Sequence, residues 1–198
     1  MHKSSYQKMQ YFKDTYLNPN VELKILDIGS YDKFGNNNYS LIFNEKNWIY
    51  KGLDLVEGDN VDIVVNNPYD WIEIDDEEYD VVVSGQAFEH IEFFWETLNQ
   101  IKRILKPNGL LCIIAPSSGP EHRNPFDCYR FNDSAMKSMA KYIKFHVLEY
   151  GTDYDETSNP WNDTYLIAKK IQTIPKDNLN NRLDLIEKKL NYIISQIQ

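Results

Sequence analysis

A series of short apolar runs, each bounded by turn-forming residues, constrains the fold of this chain more than any other feature. The first five are LKILDIG (23–29), WIYKGLDL (48–55), VDIVV (61–65), YDVVVSG (79–85) and GLLCIIAP (109–116). Runs without polar alternation are typical of strands buried on both faces, which favours a parallel sheet. Two later runs, KFHVLEYG (144–151) and DTYLIAKK (163–170), predict two further strands.

Helical patterns occur between and before these runs. Residues 1–18 carry aromatic and apolar side chains three or four positions apart, and residues 133–142 predict a short helix. The segment FEHIEFFWETLNQIKRILK (88–106) has a helical apolar period, and KPNG (106–109) is expected to end it. The order strand, helix, strand predicts a doubly wound α/β fold with helices on both faces of the sheet.

Composition and charge narrow the function classes. The chain has 198 residues, 30 acidic against 21 basic, for a net charge of −9, which argues against a broad nucleic-acid or anionic-membrane surface. It has no long apolar run, and its first residues lack an apolar signal core, so we expect a cytoplasmic protein. Cys112 and Cys128 do not suggest a disulfide framework, and Cys112 is expected to be buried.

The tail has a pattern of its own, with apolar residues spaced alternately four and three apart: Leu179, Leu183, Ile186, Leu190, Ile193 and Ile197. This is an a/d seam over nearly three heptads. It predicts either a terminal helix packed on its own domain or a helix that forms a homodimer. We favour self-association because IPKDN (174–178) before it resembles a linker.

The first two strands predict a nucleoside site. Gly29 directly follows a strand, where a ligand can approach the backbone and the turn can present N–H groups. The G-x-G-x-x-G spacing is missing, since Gly29 and Gly35 are six apart. Asp54 ends the second strand 25 residues after Gly29, where a carboxylate can accept hydrogen bonds from ribose hydroxyls. A plain strand-to-loop turn at Gly29 is the alternative.

Successive motifs resemble the class I S-adenosylmethionine-dependent methyltransferases over about residues 23–170. These motifs are ILDIGS, GLDL, YDVVVSGQAFEHI and IKRILKPNGLLCIIAPS. FEHIEFFW, KRILKPNG and SGPEHRNPFDCYRF together resemble a methyltransferase type 11/23-like bacterial subgroup that often accompanies surface-polysaccharide genes. The chain departs from the common pattern at GSY, where a second glycine is usual, and at NNPY after the third strand.

The resemblance implies a Rossmann-like sheet that is mostly parallel, with one antiparallel late strand. With the helical patterns at both ends, the chain divides into an N-terminal helical segment (1–22), a methyltransferase domain (23–171) and a C-terminal amphipathic helix (175–198). The resemblance also implies S-adenosylmethionine as cofactor, held by Asp27, Gly29, Ser30, Asp54, Leu55, Asn67, Ser84, Gly85 and Gln86.

Several of these implied roles have structural alternatives. Asp27 and Gly29 would border the methionine end of the cofactor, although Asp27 can instead order only the first loop. Asp54 would bind the ribose, Leu55 would pack near the adenine and Asn67 would reach its edge. The Ser84 to Gln86 segment would lie near the sulfonium, or Ser84 and Gln86 would only make hydrogen bonds at the strand end.

The loop SGPEHRNPFDCYRF (118–131) follows the fifth strand and carries candidate acceptor-site residues. A histidine with a pKa near neutrality can take a proton from a hydroxyl acceptor, so His122 is the first candidate base and His90 the second. Asp127 can orient that base or bind the substrate. The loop also offers substrate-binding candidates: Arg123 and Arg130 for a phosphate or carboxylate, and Tyr129 for stacking.

Each loop residue has a second interpretation. Arg130 and Asp127 can pair to hold the loop, and Tyr129 can belong to the core. His122, Asp127, Cys128 and His90 can be considered as metal ligands, but no tight Cys-x-x-Cys or His-x-x-x-His spacing supports this, so we predict no metal.

We therefore predict methyl transfer to a small polar acceptor, with the hydroxyl oxygen of a sugar, nucleotide-sugar or related surface-glycan precursor preferred. The alternatives are a non-catalytic methyltransferase-like binding protein and an NAD-dependent oxidoreductase. Nucleic-acid methylation is not expected, because SGQAF stands where base-amino methyltransferases carry an Asn/Asp-Pro-Pro-aromatic motif.

Overall fold

The protein folds around one seven-stranded sheet. The structure is a computed structural model that describes residues 3–33, 35, 38–154, 161–172, 186–190 and 194. The strands are β1 (Leu23–Ile28), β2 (Trp48–Asp54), β3 (Ile63–Val64), β4 (Tyr79–Gly85), β5 (Leu105–Pro116), β6 (Phe145–Thr152) and β7 (Asp163–Lys170). Their order is β3-β2-β1-β4-β5-β7-β6. Strands β1 to β5 pair in parallel, and β7 runs antiparallel to both β5 and β6. The predicted mostly parallel, doubly wound sheet is confirmed.

Helices cover both faces of the sheet because successive strand residues point to opposite sides. Helix α1 (Lys3–Tyr16) buries Met9 and Phe12 in one apolar cluster, which also contains Ile25 of β1. Helices α2 (Phe94–Ile104) and α3 (Asp133–Ile143) pack on the other face, in a cluster with Leu26. Both Ile25 and Leu26 are fully buried. An uninterrupted apolar run is therefore what a strand with two covered faces requires.

The segment 88–106 differs from the predicted single helix. A short 3₁₀ turn, Phe88–His90, precedes α2, and the α-helix ends at Ile104. Strand β5 already begins at Leu105, and its pairing with β4 is irregular between Tyr79 and Val81. The residues of KPNG therefore lie in an irregular start of β5, as the positive φ of Asn108 shows. Leu105 is an apolar residue at a position that fits the helical period of α2. Buried apolar residues occur in strands as well as in helices, so its burial does not distinguish the two.

The connection from β1 to β2 covers residues 29–47. Among its described residues the only helical turn is 3₁₀, at Tyr39–Leu41. The buried side chains of Tyr39, Ile42 and Phe43 join the cluster that contains α1. Thus α1, which precedes the sheet in the chain, covers this face together with the connection from β1 to β2.

The tail is only partly described. Residues 186–190 are helical, and Ile186 and Leu190 are 61% and 55% exposed. Leu179, Leu183, Ile193 and Ile197 lie outside the described residues. The dimer seam and the three segment boundaries stay predictions. No helix in the described ranges has the length and apolar character that crossing a bilayer requires.

Candidate active site

The carboxyl ends of β1 and β4 form the point where the strand order reverses. From β1 the chain proceeds outward to β2 and β3, and it then crosses to β4 on the other side of β1. Ligands of open α/β sheets bind in the crevice outside the strands at such a point. A cleft of about 190 Å³ opens here, and its lining includes Asp27, Gly29, Ser30, Gly85 and Gln86. Five of the nine predicted cofactor-binding residues are thus brought together.

Gly29 is required at the base of this cleft by its backbone and by its neighbour. Its φ is +75°, a conformation that L side chains rarely adopt. A Cβ added to Gly29 would lie 2.4 Å from the Cβ of Ala87, just beyond β4. The glycine therefore allows the loop after β1 to approach the loop after β4 closely.

The expectation that the turn after β1 presents free N–H groups is wrong for Gly29 and Ser30. Both amides donate to the carbonyl of Leu53, at 2.9 and 3.2 Å. The Ser30 hydroxyl donates to the carbonyl of Asn60 at 2.8 Å, and the Asn60 amide donates back to the carbonyl of Ser30. These hydrogen bonds hold the turn against the end of β2.

Asp27 is a buried carboxylate that faces the cleft. Its Oδ2 accepts a hydrogen bond from the Tyr50 hydroxyl at 2.6 Å, and that hydroxyl accepts from the Asn60 amide at 3.0 Å. Burial raises the pKa of Asp27 to about 7, although the Tyr50 hydrogen bond lowers it. The structure places no lysine or arginine in ion-pair contact with Asp27 among the described residues. A cationic group in the cleft would therefore stabilise the ionised carboxylate strongly.

Asp54 and Leu55 lie where the second strand ends. The Asp54 carboxylate accepts the backbone N–H groups of Tyr31 and Leu55, at 3.1 and 2.7 Å. These two bonds fix its orientation, and Tyr31 links it to the cleft that it helps to line. Leu55 and Val56 are half exposed beside it. A carboxylate next to uncovered apolar side chains suits a ribose joined to an aromatic base.

The residues after β3 are engaged locally. Asn67 is exposed, and its Oδ1 accepts the N–H of Tyr69 at 2.9 Å. The neighbouring Asn66 donates through its backbone and side chain to Glu73. Asn67 is not among the residues that line the cleft.

The residues at the end of β4 contact β1, Tyr39 and β7. Ser84 is fully buried and its hydroxyl donates to the carbonyl of Ile28 at 2.9 Å, which matches the strand-end alternative. A Cβ at Gly85 would lie 1.9 Å from the Tyr39 hydroxyl, whose pKa burial raises well above its usual value. Gln86 lines the cleft and donates to Asp163 at 2.9 Å.

Asp163 and Tyr50 are site residues that the sequence interpretation missed. Asp163 is buried at the start of β7, where antiparallel pairing with Pro116 brings it to the same edge as the parallel strands' carboxyl ends. It accepts hydrogen bonds from Gln86 and from Ser4 of α1. The available signal was an aspartate beginning an otherwise apolar late strand.

The loop 118–131 reaches the cleft, as expected from its position after β5. Asn124 is one of the cleft-lining residues. The C-terminal end of the loop is held beside the end of β5, because the N–H of Phe131 donates to the carbonyl of Pro116 at 2.9 Å. Between these points, Cys128 and Tyr129 both donate their N–H groups to the carbonyl of Glu89. The loop is thereby fastened to the segment that follows β4.

Asp127 and Arg130 form the internal brace of this loop. Arg130 binds both carboxylate oxygens, at 2.5 and 2.8 Å, and it also donates to the carbonyls of Pro120 and Tyr129. The Arg130 hydrogen bonds hold the pKa of Asp127 well below its usual range. The guanidinium is committed to the loop, so the geometry favours the bracing alternative for Arg130 over direct acceptor binding.

The two candidate bases lie together. The rings of His90 and His122 are 4.8 Å apart between centroids, and His122 also contacts the Trp161 ring at 4.5 Å. The N–H of His122 donates to Asp127 at 2.6 Å, and its Nδ1 lies 3.6 Å from the same oxygen. The sequence interpretation missed Glu89, whose buried carboxylate lies 3.7 Å from the Nε2 of His90.

The remaining loop candidates differ in exposure. The Arg123 side chain is 73% exposed and pairs with Glu121, at 2.7 Å. The Tyr129 ring packs edge-on against Phe94, with its hydroxyl donating to the carbonyl of Glu92. Phe131 is buried. Tyr129 therefore belongs in part to the core, and Arg123 is the loop cation that faces solvent.

The geometry can be compared with known proteins. A family model described as a methyltransferase domain matches residues 35–113, which is less than half of the chain and begins after the Gly29 turn. A search of curated proteins finds no match. Solved structures with this fold are similar over most of their length, at low identity.

Three of these structures illustrate the range of activities found at similar identity and TM-score. A SAM-dependent methyltransferase from Methanosarcina mazei is 15% identical, with a TM-score of 0.60 over 81% of this chain and 97% of that one. The 1,6-didemethyltoxoflavin-N1-methyltransferase of Burkholderia thailandensis, with bound S-adenosylhomocysteine, is 16% identical, with a TM-score of 0.60 and 85% of each chain covered. The [4+2]-cyclase SpnF is 13% identical, with a TM-score of 0.63 over 84% of this chain and 81% of that one.

At these identities the structural likeness shows the fold. The strand order and the matched methyltransferase-domain model agree on the fold that these methyltransferases share. The chain has the Rossmann-like fold of class I methyltransferases, with a cleft at its switch point.

Proposed function

We propose that the protein transfers a methyl group from S-adenosylmethionine to a hydroxyl oxygen of a small polar acceptor. The acceptor class is a sugar, nucleotide-sugar or related precursor of a surface glycan. The observation that carries this proposal is the juxtaposition, at the switch point, of a carboxylate-bearing cleft and a loop that carries histidine and arginine. A cytoplasmic location and a homodimer through residues 175–198 are part of the same proposal.

The cofactor would lie along the carboxyl ends of β1, β2 and β4. Asp27 would hold the cationic amino group of its methionine portion, because the buried carboxylate lacks a positive partner among the groups that shift its pKa. Asp54 would accept hydrogen bonds from the ribose, Leu55 would pack on the adenine and Asn67 would reach the adenine edge. When bound, the cofactor supplies an activated methyl group.

Residues at the centre of the cleft would orient the reacting end. Gly29, Ser30 and Gly85 line this part of the cleft, and Gln86 is held by its hydrogen bond to Asp163. Ser84 would act indirectly, by fixing the end of β1 through its bond to Ile28. The contribution of such residues is to align the acceptor in line with the methyl group and to exclude water.

The histidine pair would assist the loss of the acceptor proton. His122 is the first candidate, since Asp127 binds its backbone and lies near its ring, and His90 is the second. The pair is close to the cleft along the chain, because Asn124 lines the cleft two residues after His122. Positioned proton transfer of this kind contributes about 10²–10⁴ in rate.

Acceptor recognition would come from the solvent-facing part of the loop. Arg123 is exposed and can approach a phosphate of a nucleotide-linked acceptor. Tyr129 can present one ring face to a sugar while its other contacts are with the core. Arg130 would contribute by bracing the loop through Asp127.

Methyl transfer is tested by incubating the protein with S-adenosylmethionine and a panel of nucleotide-linked sugars, while S-adenosylhomocysteine formation is monitored. We expect turnover with at least one panel member, reduced about 10²-fold or more in His122→Ala or in His90→Ala. Near-normal turnover in both variants would refute the proposed role of the pair. His146→Ala is the matched control, since His146 is an exposed histidine on β6.

A non-catalytic binding protein is the second candidate function. It is favoured by one observation: the Gly29 and Ser30 amides are bound to Leu53 and so are not directed at a ligand. The likeness to a cyclase also indicates that this fold accommodates other chemistry. Binding of S-adenosylhomocysteine without turnover on any acceptor would support this alternative.

A further inference from the structure

Glu89 is a buried carboxylate without hydrogen-bond partners among the described residues, and the proposed methyl transfer does not explain why. Its side chain is fully inaccessible to solvent, and neither carboxylate oxygen has a hydrogen-bond partner among the described residues. Leaving such a group without a partner costs several kcal/mol, and native proteins rarely do so without a reason. A positive charge placed beside the carboxylate would remove this cost.

Two imidazoles converge on the same point. One ligand atom from each of Glu89, His90 and His122 lies within 4.8 Å of the other two. The donor atoms of a tetrahedral zinc site are about 3.4 Å apart, given bond lengths of about 2.1 Å. We propose that Glu89, His90 and His122 bind a divalent transition-metal ion. Only a small inward movement of the side chains is needed.

The hydrogen bonding of His90 suits a metal ligand. Its Nδ1 lies 2.5 Å from the carbonyl oxygen of Phe126, and a carbonyl can only accept, so Nδ1 carries the proton. In the neutral ring Nε2 then carries the lone pair, and Nε2 is the atom that faces Glu89 at 3.7 Å. Donation of the second ring N–H to a carbonyl is the usual arrangement around a metal-bound histidine.

Hydrogen bonds also hold the loop that carries His122 in a position suited to metal binding. The backbone of His122 donates to Asp127, which Arg130 holds through both oxygens. The same loop donates two N–H groups to the backbone carbonyl of Glu89. The two halves of the site, which are about 30 residues apart in the sequence, are therefore fixed to one another by the backbone.

The donor set selects the metal class. Two imidazoles and one carboxylate suit zinc, iron(II) or manganese, with zinc favoured over magnesium because magnesium prefers oxygen ligands. Three protein ligands leave a coordination position open for water or a substrate oxygen. Such a site is expected to be catalytic rather than purely structural.

This inference rests on the proposed function for its catalytic role and deepens it. An acceptor hydroxyl in the open position would have its pKa lowered and would release its proton to water. The oxygen would then form a bond to the methyl carbon as the sulfur–carbon bond breaks, with the electron pair going to sulfur. In the metal-loaded protein His122 is thus a metal ligand. Its ring takes the acceptor proton directly only in the metal-free protein.

The test is calorimetric titration of the chelator-treated full chain with ZnCl₂, followed by MgCl₂ as a second titrant. Cobalt(II) absorption reports coordination independently of activity. We expect one zinc per chain, and at least about tenfold weaker binding in Glu89→Gln and in His122→Ala, with magnesium weak throughout. His146→Ala should bind zinc as the unchanged protein does. Circular dichroism checks folding, and His122→Ala, in a loop, carries the test if Glu89→Gln does not fold.

Failure of the metal site and failure of methyl transfer are distinguishable. S-adenosylhomocysteine binding is measured in the presence of chelator, where the cofactor cleft is intact. Absence of zinc binding, or zinc affinity in Glu89→Gln and His122→Ala equal to that of the unchanged protein, would overturn the metal site whatever the cofactor result. Zinc binding that both variants weaken supports the site, even where no cofactor binds.

Discussion

The buried Asp27 carboxylate predicts that cofactor binding depends on pH. Its pKa of about 7 means that the carboxyl group is mostly protonated at pH 6 and mostly ionised at pH 8. The cationic amino group of S-adenosylhomocysteine should bind to the ionised form, because only that form offers a countercharge. Binding should therefore strengthen as pH rises through about 7, and it should release a proton from Asp27 below that pH.

The magnitude follows from the ionised fraction. With a pKa of about 7, that fraction is about one eleventh at pH 6 and about ten elevenths at pH 8, so the dissociation constant should fall about tenfold. Calorimetry at both pH values measures this ratio. Repeating the pH 6 titration in buffers of different ionisation enthalpy measures the proton released.

Variants separate Asp27 from other groups in the cleft. Asp27→Asn should bind more weakly at pH 8 and lose the pH dependence. Tyr50→Phe should move the midpoint to higher pH, because the Tyr50 hydrogen bond lowers the pKa of Asp27. Asp32→Asn, which changes another cleft-lining carboxylate, should keep the tenfold ratio. A ratio near one in the unchanged protein, or a tenfold ratio that persists in Asp27→Asn, would refute the assigned role.

Three further changes test other parts of the account. Gly29→Ala should lower the free energy of unfolding by about 1–3 kcal/mol in denaturant titration, from its positive φ and its contact with Ala87. Gly35→Ala, also at positive φ but with open space, should cost only about 1 kcal/mol, and equal costs would contradict the contact argument. Arg130→Lys should lower the melting temperature by losing the two-pronged bond to Asp127. Because the pKa of Asp127 is depressed, the difference in melting temperature between Arg130→Lys and the unchanged protein should be largest at neutral pH and shrink below about pH 4. A difference that stays constant with pH would exclude the ion pair as its cause. Deleting residues 175–198 should change the mass in light scattering from dimer to monomer, whereas an unchanged mass would remove the proposed tail interface.

Much of the sheet could be predicted from local pattern. Strands β4 and β7 have the predicted bounds, since each is an apolar run with a turn at its end. The run 61–65 shortens to β3 at Ile63–Val64, because only two of its residues pair with β2. The helix predicted over 88–106 was too long at both ends. Its apolar residues satisfied a helical period, but the neighbouring strands determined which of them entered the sheet.

The cleft was predictable where it depends on strand ends, and less so where it depends on contacts between distant segments. Gly29 follows from its position directly after β1, whereas Asp27 and Gln86, at the ends of β1 and β4, are implied by the resemblance to class I methyltransferases. Tyr50 and Asp163 enter the site through pairing across the sheet, which no local spacing reveals. The convergence of Glu89 with His122 likewise depends on how the loop after β5 folds back.

The central claim is that the cleft binds S-adenosylmethionine and its product. Calorimetric titration of the purified chain with S-adenosylhomocysteine at pH 8, with NAD in a parallel titration, tests it most directly. The account predicts a single site with a dissociation constant of about micromolar order for S-adenosylhomocysteine, and no heat of binding with NAD. Binding of NAD in place of S-adenosylhomocysteine, or of neither, would contradict it.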